Sequence, residues 1–285
     1  MADHLVCLTF DFDAVSPWIN RGETTPTALS RGEFGVVGAR RLLTLLERSG
    51  IRATWFIPGH TIDTYFEVCA AVHRAGHEIG HHGYLHEPPA TLAGRSEEAT
   101  VLDRGLECIR RLTGGAPAGY RSPSWDLSEH TVDLLLERGF RYDSSLMGQD
   151  DQPYRCRTGD VATRDGPMRF GVETELWEMP ISWSLDDHPQ FEYVRRSGFL
   201  QPGLAWTGGV LENWLDDFRY MARETERGVL TYTMHPQVIG RGHRLLMLER
   251  LVAGLVELGA RFVRMDEALE LMQGGTSSPL PEPPS

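Results

Sequence analysis

The feature that most restricts this chain is an alternation of short, nearly unbroken apolar runs with stretches of helical spacing. Leu5–Phe10 (LVCLTF), Ile51–Ile57 (IRATWFI), 77–81 (HEIGH), Val229–Met234 and Arg261–Met265 read as strands. Extended structure is expected at Gly119–Ser124, and order resumes at Leu176–Ser182. Runs that are apolar on both faces belong to parallel sheets covered by helices. Helical spacing occupies 36–49, about 63–75, Ser96–Leu112, 128–138, about 209–227 and about 243–258. Gly50, Gly76 and Gly139 stop three of these helices, and Ser128 with Glu129 opens the one that Gly139 stops. Roughly six to eight strands alternating with helices over ~270 residues predict an α/β fold, one barrel of parallel strands. That single domain is expected to span 1–273. The remainder, 274–285 (GGTSSPLPEPPS), has the composition of a disordered tail unless it packs on a neighbour, which leaves a homo-oligomer open. The stretch 148–175, rich in Gly, Asp, Arg and Thr, reads as a long loop of the kind that serves function.

Composition removes several classes of function. Acidic residues outnumber basic ones 40 to 28, a net charge of −12. That balance argues against nucleic acid or an anionic membrane as partner and favours a neutral or cationic substrate. All 28 basic residues are arginine. Without lysine there is no Schiff base, no pyridoxal phosphate linkage and no phosphate-loop lysine. Cys7, Cys69, Cys108 and Cys156 are scattered without close pairing, as expected of thiols in a reducing compartment. The N-terminal MADHLVCLTFDFD lacks the basic region of a secretory signal. No run approaches the roughly 18 apolar residues of a membrane span. A cytoplasmic location is expected.

Two clusters suggest metal chemistry. In TFDFD, Asp11 and Asp13 close the first strand, and side chains at i and i+2 share one face. At the C-terminal end of a barrel strand that face is where catalytic groups collect, although acids at strand ends also serve as solvated caps. In GHEIGHHGYLHE, His82 and His86 are four apart, so on a helical turn both imidazoles face one side. A surface helix has the same pattern, and His81 and Glu78 lie close enough to support such a pair. Two histidines and a carboxylate make a three-ligand set with open positions, suited to a catalytic zinc or similar divalent ion. Further segments stand out: RSPSW (121–125), YDSS (142–145), and TMHP, where His235 ends a buried strand as a core histidine or a catalyst.

In order along residues 5–240, TFDFD, HGYLH, RSPSW, YDSSL and TMHP resemble the five motifs of the polysaccharide deacetylase family of the NodB-homology type. The resemblance implies a distorted (β/α) barrel. It implies one divalent metal ion, zinc, on Asp13, His82 and His86, with Asp11 as the general base oriented by Arg121. It makes His235 the general acid, tuned by Asp143, and Trp125 a wall of the acyl pocket. The backbone N–H at Ser144 or Ser145 is expected to hold the oxyanion. Phe12 between the two aspartates leaves base and ligand open to exchange, and Gly83 replaces the usual Ser or Thr. These departures, with SWSLDDHPQF and HPQVIGRGHR, resemble the cytoplasmic branch of helicobacter-type peptidoglycan deacetylase, cyclic imidases and allantoinase-like enzymes.

The implied activity is metal-dependent hydrolysis of non-peptide C–N amide bonds, removing N-acetyl groups from amino sugars or opening small cyclic imides. Trp183 and Phe191 are candidate walls for the saccharide or small-molecule substrate, with 148–175 and 183–193 bordering the site. A two-histidine, one-carboxylate iron oxygenase uses the same ligand types, but commonly as H-x-D…H on a jelly roll. A non-catalytic carbohydrate-binding relative is the third reading, weakened because every catalytic role is filled.

Overall fold

The computed structural model describes residues 3–196 and 198–274. Its strands are β1 (Asp3–Asp11), β2 (Thr54–Ile57), β3 (Glu78–His81), β4 (Gly119–Tyr120), β5 (Tyr142–Asp143), β6 (Tyr154–Thr158), β7 (Val172–Glu178), β8 (Val194–Arg196), β9 (Phe199–Gln201), β10 (Arg227–Met234) and β11 (Arg261–Phe262). The main sheet runs β10-β1-β2-β3-β4-β5-β7-β6, with β11 also paired to β1. Within it only β6–β7 is antiparallel. Two contacts draw its ends together: Asp186 bridges Thr233 in parallel, and Val229 N–H donates to the Asp151 carbonyl at 3.0 Å. The result is a distorted (β/α) barrel.

Strand alternation sorts the core into two layers. On β1, Val6, Leu8 and Phe10 face the helices, while Leu5 and Cys7 face the barrel interior with Phe56, Tyr142, Met179 and Val229. The helix Met265–Gln273 contributes Met265, Ala268 and Leu269 to that interior cluster. This helix replaces the end of the strand expected over Arg261–Met265, because the Glu267 carboxylate accepts the Arg264 N–H at 3.2 Å and starts a helical turn there. The first long helix runs Pro26–Ser49, opened by the Thr25 side chain and closed by Gly50 at φ +65°. It lies so close to the segment after β10 that a Cβ on Gly38 would sit 1.9 Å from the Pro236 carbonyl oxygen. That contact fixes the chain immediately after His235.

Residues 148–175 are not one irregular loop. They contain β6 and most of β7, a hairpin at the sheet edge in which Arg155 lies over the Trp177 ring at 4.0 Å. Beyond Gly274, the expected tail lies outside the described residues.

Candidate active site

The alternation that buries Leu5 and Cys7 inside the barrel carries Thr9 and Asp11 inward above them, and Asp13 follows two residues on. On the neighbouring β10, Val229 begins an inward column that continues through Thr231 and Thr233 to His235. On β3 the inward residues are Glu78 and Gly80, so His82 points in and His81 points out. His81 donates from Nε2 to the Leu102 carbonyl (3.0 Å) and accepts the Gly83 N–H at Nδ1 (3.2 Å). Glu78 takes hydrogen bonds from Thr54 and Tyr142 (2.7 and 2.9 Å), below the site. Neither residue supports the histidine pair directly, though His81 holds the turn that follows it.

Asp13 Oδ1 lies 3.4 Å from His82 Nε2 and 3.8 Å from His86 Nε2. It is a buried carboxylate oxygen with no hydrogen-bond donor. The three donor atoms lie within 4.8 Å of one another. His82 is locked with Nδ1–H donating to the Arg121 carbonyl at 2.7 Å, which leaves Nε2 as a lone pair facing Asp13. An undonated carboxylate oxygen facing the His82 lone pair, with His86 Nε2 beside it, fits a divalent cation. Burial pushes Asp13 up, but His86, His82 and His235 outweigh it and hold the carboxyl below the ordinary range.

The two histidines do not share a helical turn. Residues 82–88 form a loop in which Gly83 (φ +70°) and His86 (φ +64°) are left-handed. Glu87 pins the loop by accepting the Tyr84 and Leu85 N–H groups at 3.1 and 2.6 Å. A Cβ at Gly83 would also meet Pro123 at 3.1 Å, so glycine suits this backbone where the resemblance leads one to expect Ser or Thr.

Asp11 faces a different partner. The wholly buried Arg121 donates to Asp11 Oδ1 and Thr9 Oγ1, both at 2.8 Å, and to the Ser144 carbonyl and hydroxyl at 3.0 and 2.9 Å. Asp11 Oδ2 lies 4.0 Å from His235 Nε2. His235 Nδ1 is 2.7 Å from Asp187 Oδ1, and the His235 backbone N–H donates to the same carboxylate. Burial disfavours a charged imidazole, but Asp186, Asp187 and Asp13 overcome it and raise His235 well above its ordinary value.

Three expectations need correction. The carboxylate beside His235 is Asp187, not Asp143. Asp143 accepts from Ser145 Oγ at 2.6 Å and lies against Glu178. Nor are the Ser144 and Ser145 N–H groups available to an oxyanion, since they donate to the Tyr120 carbonyl (3.0 Å) and Glu178 (2.9 Å). Phe191 is 1% exposed and belongs to the core, because the short helix Asp187–Phe191 turns His188 and Pro189, rather than Phe191, to the cavity.

The cavity has a volume of about 540 Å³, within the small-molecule range. Asp11, Asp13, His82, His86 and His235 meet there. Trp125 and Trp183 stack along one side, ring centroids 4.0 Å apart. The rest of the rim comes from 17–31 and 183–201, and no residue of 148–175 lines it. The hairpin keeps that stretch at the sheet edge. Sequence reasoning missed Asp187, Gln237, which reaches Asp13 Oδ2 at 3.4 Å, and His188. The last is pushed down to about 3 by burial and by the charge on His235.

A distorted (β/α) barrel whose mouth gathers a strand-end Asp pair, a two-histidine loop and a carboxylate-backed histidine has the architecture of NodB-type hydrolases. The chain belongs to the polysaccharide deacetylase family, whose pattern matches residues 2–142. It is 40% identical over 281 residues to a peptidoglycan deacetylase of Helicobacter pylori, covering 92% of this chain and 94% of that protein. A Mycobacterium smegmatis structure assigned to the polysaccharide deacetylases superposes with a TM-score of 0.81 at 33% identity, covering 100% of this chain and 96% of the other. The fold is shared with an allantoinase, PuuE, at a TM-score of 0.75 and 19% identity, over 95% and 90% of the two chains. Among the described residues no helix is long and apolar enough to cross a membrane.

Proposed function

We propose that this family member is a metal-dependent hydrolase of non-peptide amide bonds that acts on small substrates. The observation that carries the reading is the convergence of three groups in one cavity: Asp13 with His82 and His86, Asp11 on Arg121, and His235 on Asp187. Asp13, His82 and His86 would hold the ion, with zinc the fitting choice for a nitrogen-and-oxygen donor set. When bound, such an ion lowers the pKa of water and polarises a carbonyl.

The remaining chemistry belongs to side chains. Asp11 takes the proton of the attacking water, and Arg121, hydrogen-bonded to its Oδ1, holds the carboxylate aimed. His235 carries a proton on Nε2, kept there by Asp187 at Nδ1, and gives it to the departing nitrogen, because an amide anion is a very poor leaving group. Trp125 and Trp183 pack against the acyl compound and exclude water from it.

The substrate is a small cyclic imide or amide, or an N-acetylated amino sugar, in preference to insoluble glycan. An aromatic-walled cavity of this size supports that preference, and the fold is shared with an allantoinase. Four buried, unpaired thiols suit a reducing compartment, and we place the protein in the cytoplasm.

Metal analysis of the purified protein, followed by assay of acetylated sugars, chitin and peptidoglycan against cyclic imides, tests the reading. One equivalent of zinc with turnover of small amides or imides is expected. Acetate release from polymer alone would move the substrate class and leave the chemistry in place, whereas iron with oxygen uptake would replace the chemistry.

A further inference from the structure

His188 is a fourth imidazole beside the reacting groups, and neither the metal set nor the acid–base pair uses it. It lines the cavity next to His235, the ring centroids 5.4 Å apart and the planes at 61°. Gln201 of β9 fixes its far edge. The Gln201 amide nitrogen lies 3.2 Å from His188 Nδ1 and 2.8 Å from the carbonyls of both His188 and Glu192. Two carbonyl acceptors identify that atom as the NH2 group and take its two hydrogens, so at 3.2 Å it offers Nδ1 no acceptor. A proton on Nδ1 would face that NH2 group with nothing to accept it, so the proton of the neutral ring sits on Nε2. Among the described residues Nε2–H has no hydrogen-bond acceptor, and its ring borders the cavity. The backbone donors expected at Ser144 and Ser145 are occupied, so this N–H is a neutral donor held ready for substrate.

We infer that His188 is a specificity-determining residue whose Nε2–H donates to an oxygen acceptor on the fragment that leaves with the nitrogen. The inference rests on the proposed hydrolysis, because the adjacent ring, His235, is the group that protonates that nitrogen. Water's oxygen joins the carbonyl carbon, the C–N bond breaks, the His235 proton goes to nitrogen, and His188 keeps its own. Two compounds offer the same acceptor chemistry: the hydroxyl of an amino sugar and the second carbonyl of a cyclic imide. A leaving fragment without such an oxygen strands a desolvated N–H, which is how a site rejects an analogue.

The test uses the zinc-loaded protein and two pairs of probes. Di-N-acetylchitobiose is set against N-acetylcyclohexylamine, and succinimide against 2-pyrrolidinone; the first of each pair carries the acceptor and the second lacks it. The readouts are kcat/KM, or an inhibition constant for a probe that is not turned over, together with zinc content. His188→Ala should lower kcat/KM roughly 10²-fold for the acceptor-bearing probe that the wild type hydrolyses. It should leave the acceptor-free partner and the zinc content nearly unchanged. His188→Gln, which keeps an amide N–H near the Nε2 position, should recover part of the loss. Gln201→Leu, which frees Nδ1 without touching the ring, should show a smaller loss with the same selectivity, and it decides the matter if His188→Ala does not fold. Equal losses on both members of a pair, or none on either, overturn the role of His188 and leave the hydrolase reading intact. A zinc-loaded wild type that hydrolyses no amide or imide of either kind overturns the proposed function, and the inference falls with it.

Discussion

The Asp11 side and the His235 side of this cavity, the proposed base and acid, are built differently. Asp11 ends β1, and its partner Arg121 directly follows β4 and is wholly buried, bonded to Thr9 on β1 and to Ser144 after β5. Every group in that network sits on or next to a parallel strand. His235 also ends a strand, but its carboxylate arrives from the segment 183–193, whose neighbours Trp183, His188 and Glu192 line the cavity. The proposed base is therefore aimed by the sheet, and the proposed acid by the same wall that lines the cavity. Substitutions on the first side should act in an all-or-none way, while those on the second should tune pH response and selectivity.

The largest effect is expected where strand and loop both present ligands. His82→Ala should lose the metal and the activity together, as measured by elemental analysis and turnover. Full metal occupancy in that variant would remove His82 from the site. Next, Asp11→Asn should keep the metal and lose ~10²–10⁴-fold in turnover, since an amide cannot take the proton. An empty site in Asp11→Asn with a filled one in Asp13→Asn would exchange the two roles. Either result would also end the distinction between a ligand side and a base side on one strand.

The same contrast separates what could be read from the sequence from what could not. Asp11, Asp13 and His235 were legible because they continue the inward columns of β1 and β10, where period-two alternation is strict. His82 was legible as a ligand candidate from its spacing to His86, but the helical turn that spacing suggests is a left-handed loop, set by Gly83 and Glu87. The parallel strands followed from the alternation of apolar runs and helices, whereas their order in the sheet is a finding of the structure. Asp187 was not legible: it lies 48 residues before His235, and the bridge from Asp186 to Thr233 that helps close the barrel is part of what brings the two together. The β6–β7 hairpin was hidden by a polar, exposed composition, because an edge ribbon buries little and leaves no apolar signature.

Asp187→Asn tests the acid side at an intermediate size of effect. The Asp187 carboxylate raises His235, so it keeps the imidazolium populated to higher pH. The general acid must be protonated to act, and activity is lost as pH rises through the His235 pKa. Removing the Asp187 charge lowers that pKa, so the alkaline limb of the kcat/KM profile should move to lower pH, with turnover at neutral pH reduced roughly 10–10²-fold. The acid limb and metal content should be preserved. An unmoved alkaline limb would detach Asp187 from proton transfer and leave it a structural partner of the His235 backbone.

The smallest effect belongs to the wall itself. Trp183 is 44% exposed and stacks on Trp125, which is only 8% exposed. Ser124 and Trp125 hold left-handed backbone at φ 58° and 55°, so the inner ring is fixed by its own turn and does not depend on the outer ring for its position. Truncating Trp183 removes one face of a stacked pair without opening a core cavity, and folding and metal content should be unaffected. Stacking of this kind contributes about 0.5–1.5 kcal/mol, so Trp183→Ala should raise KM by roughly 2–10-fold with little change in kcat. The rise should be greatest for flat ring substrates. A fall in kcat with KM unchanged would mean that the wall acts through His235 rather than through substrate contact. Loss of metal would join the wall to the strand-built side and erase the division between them.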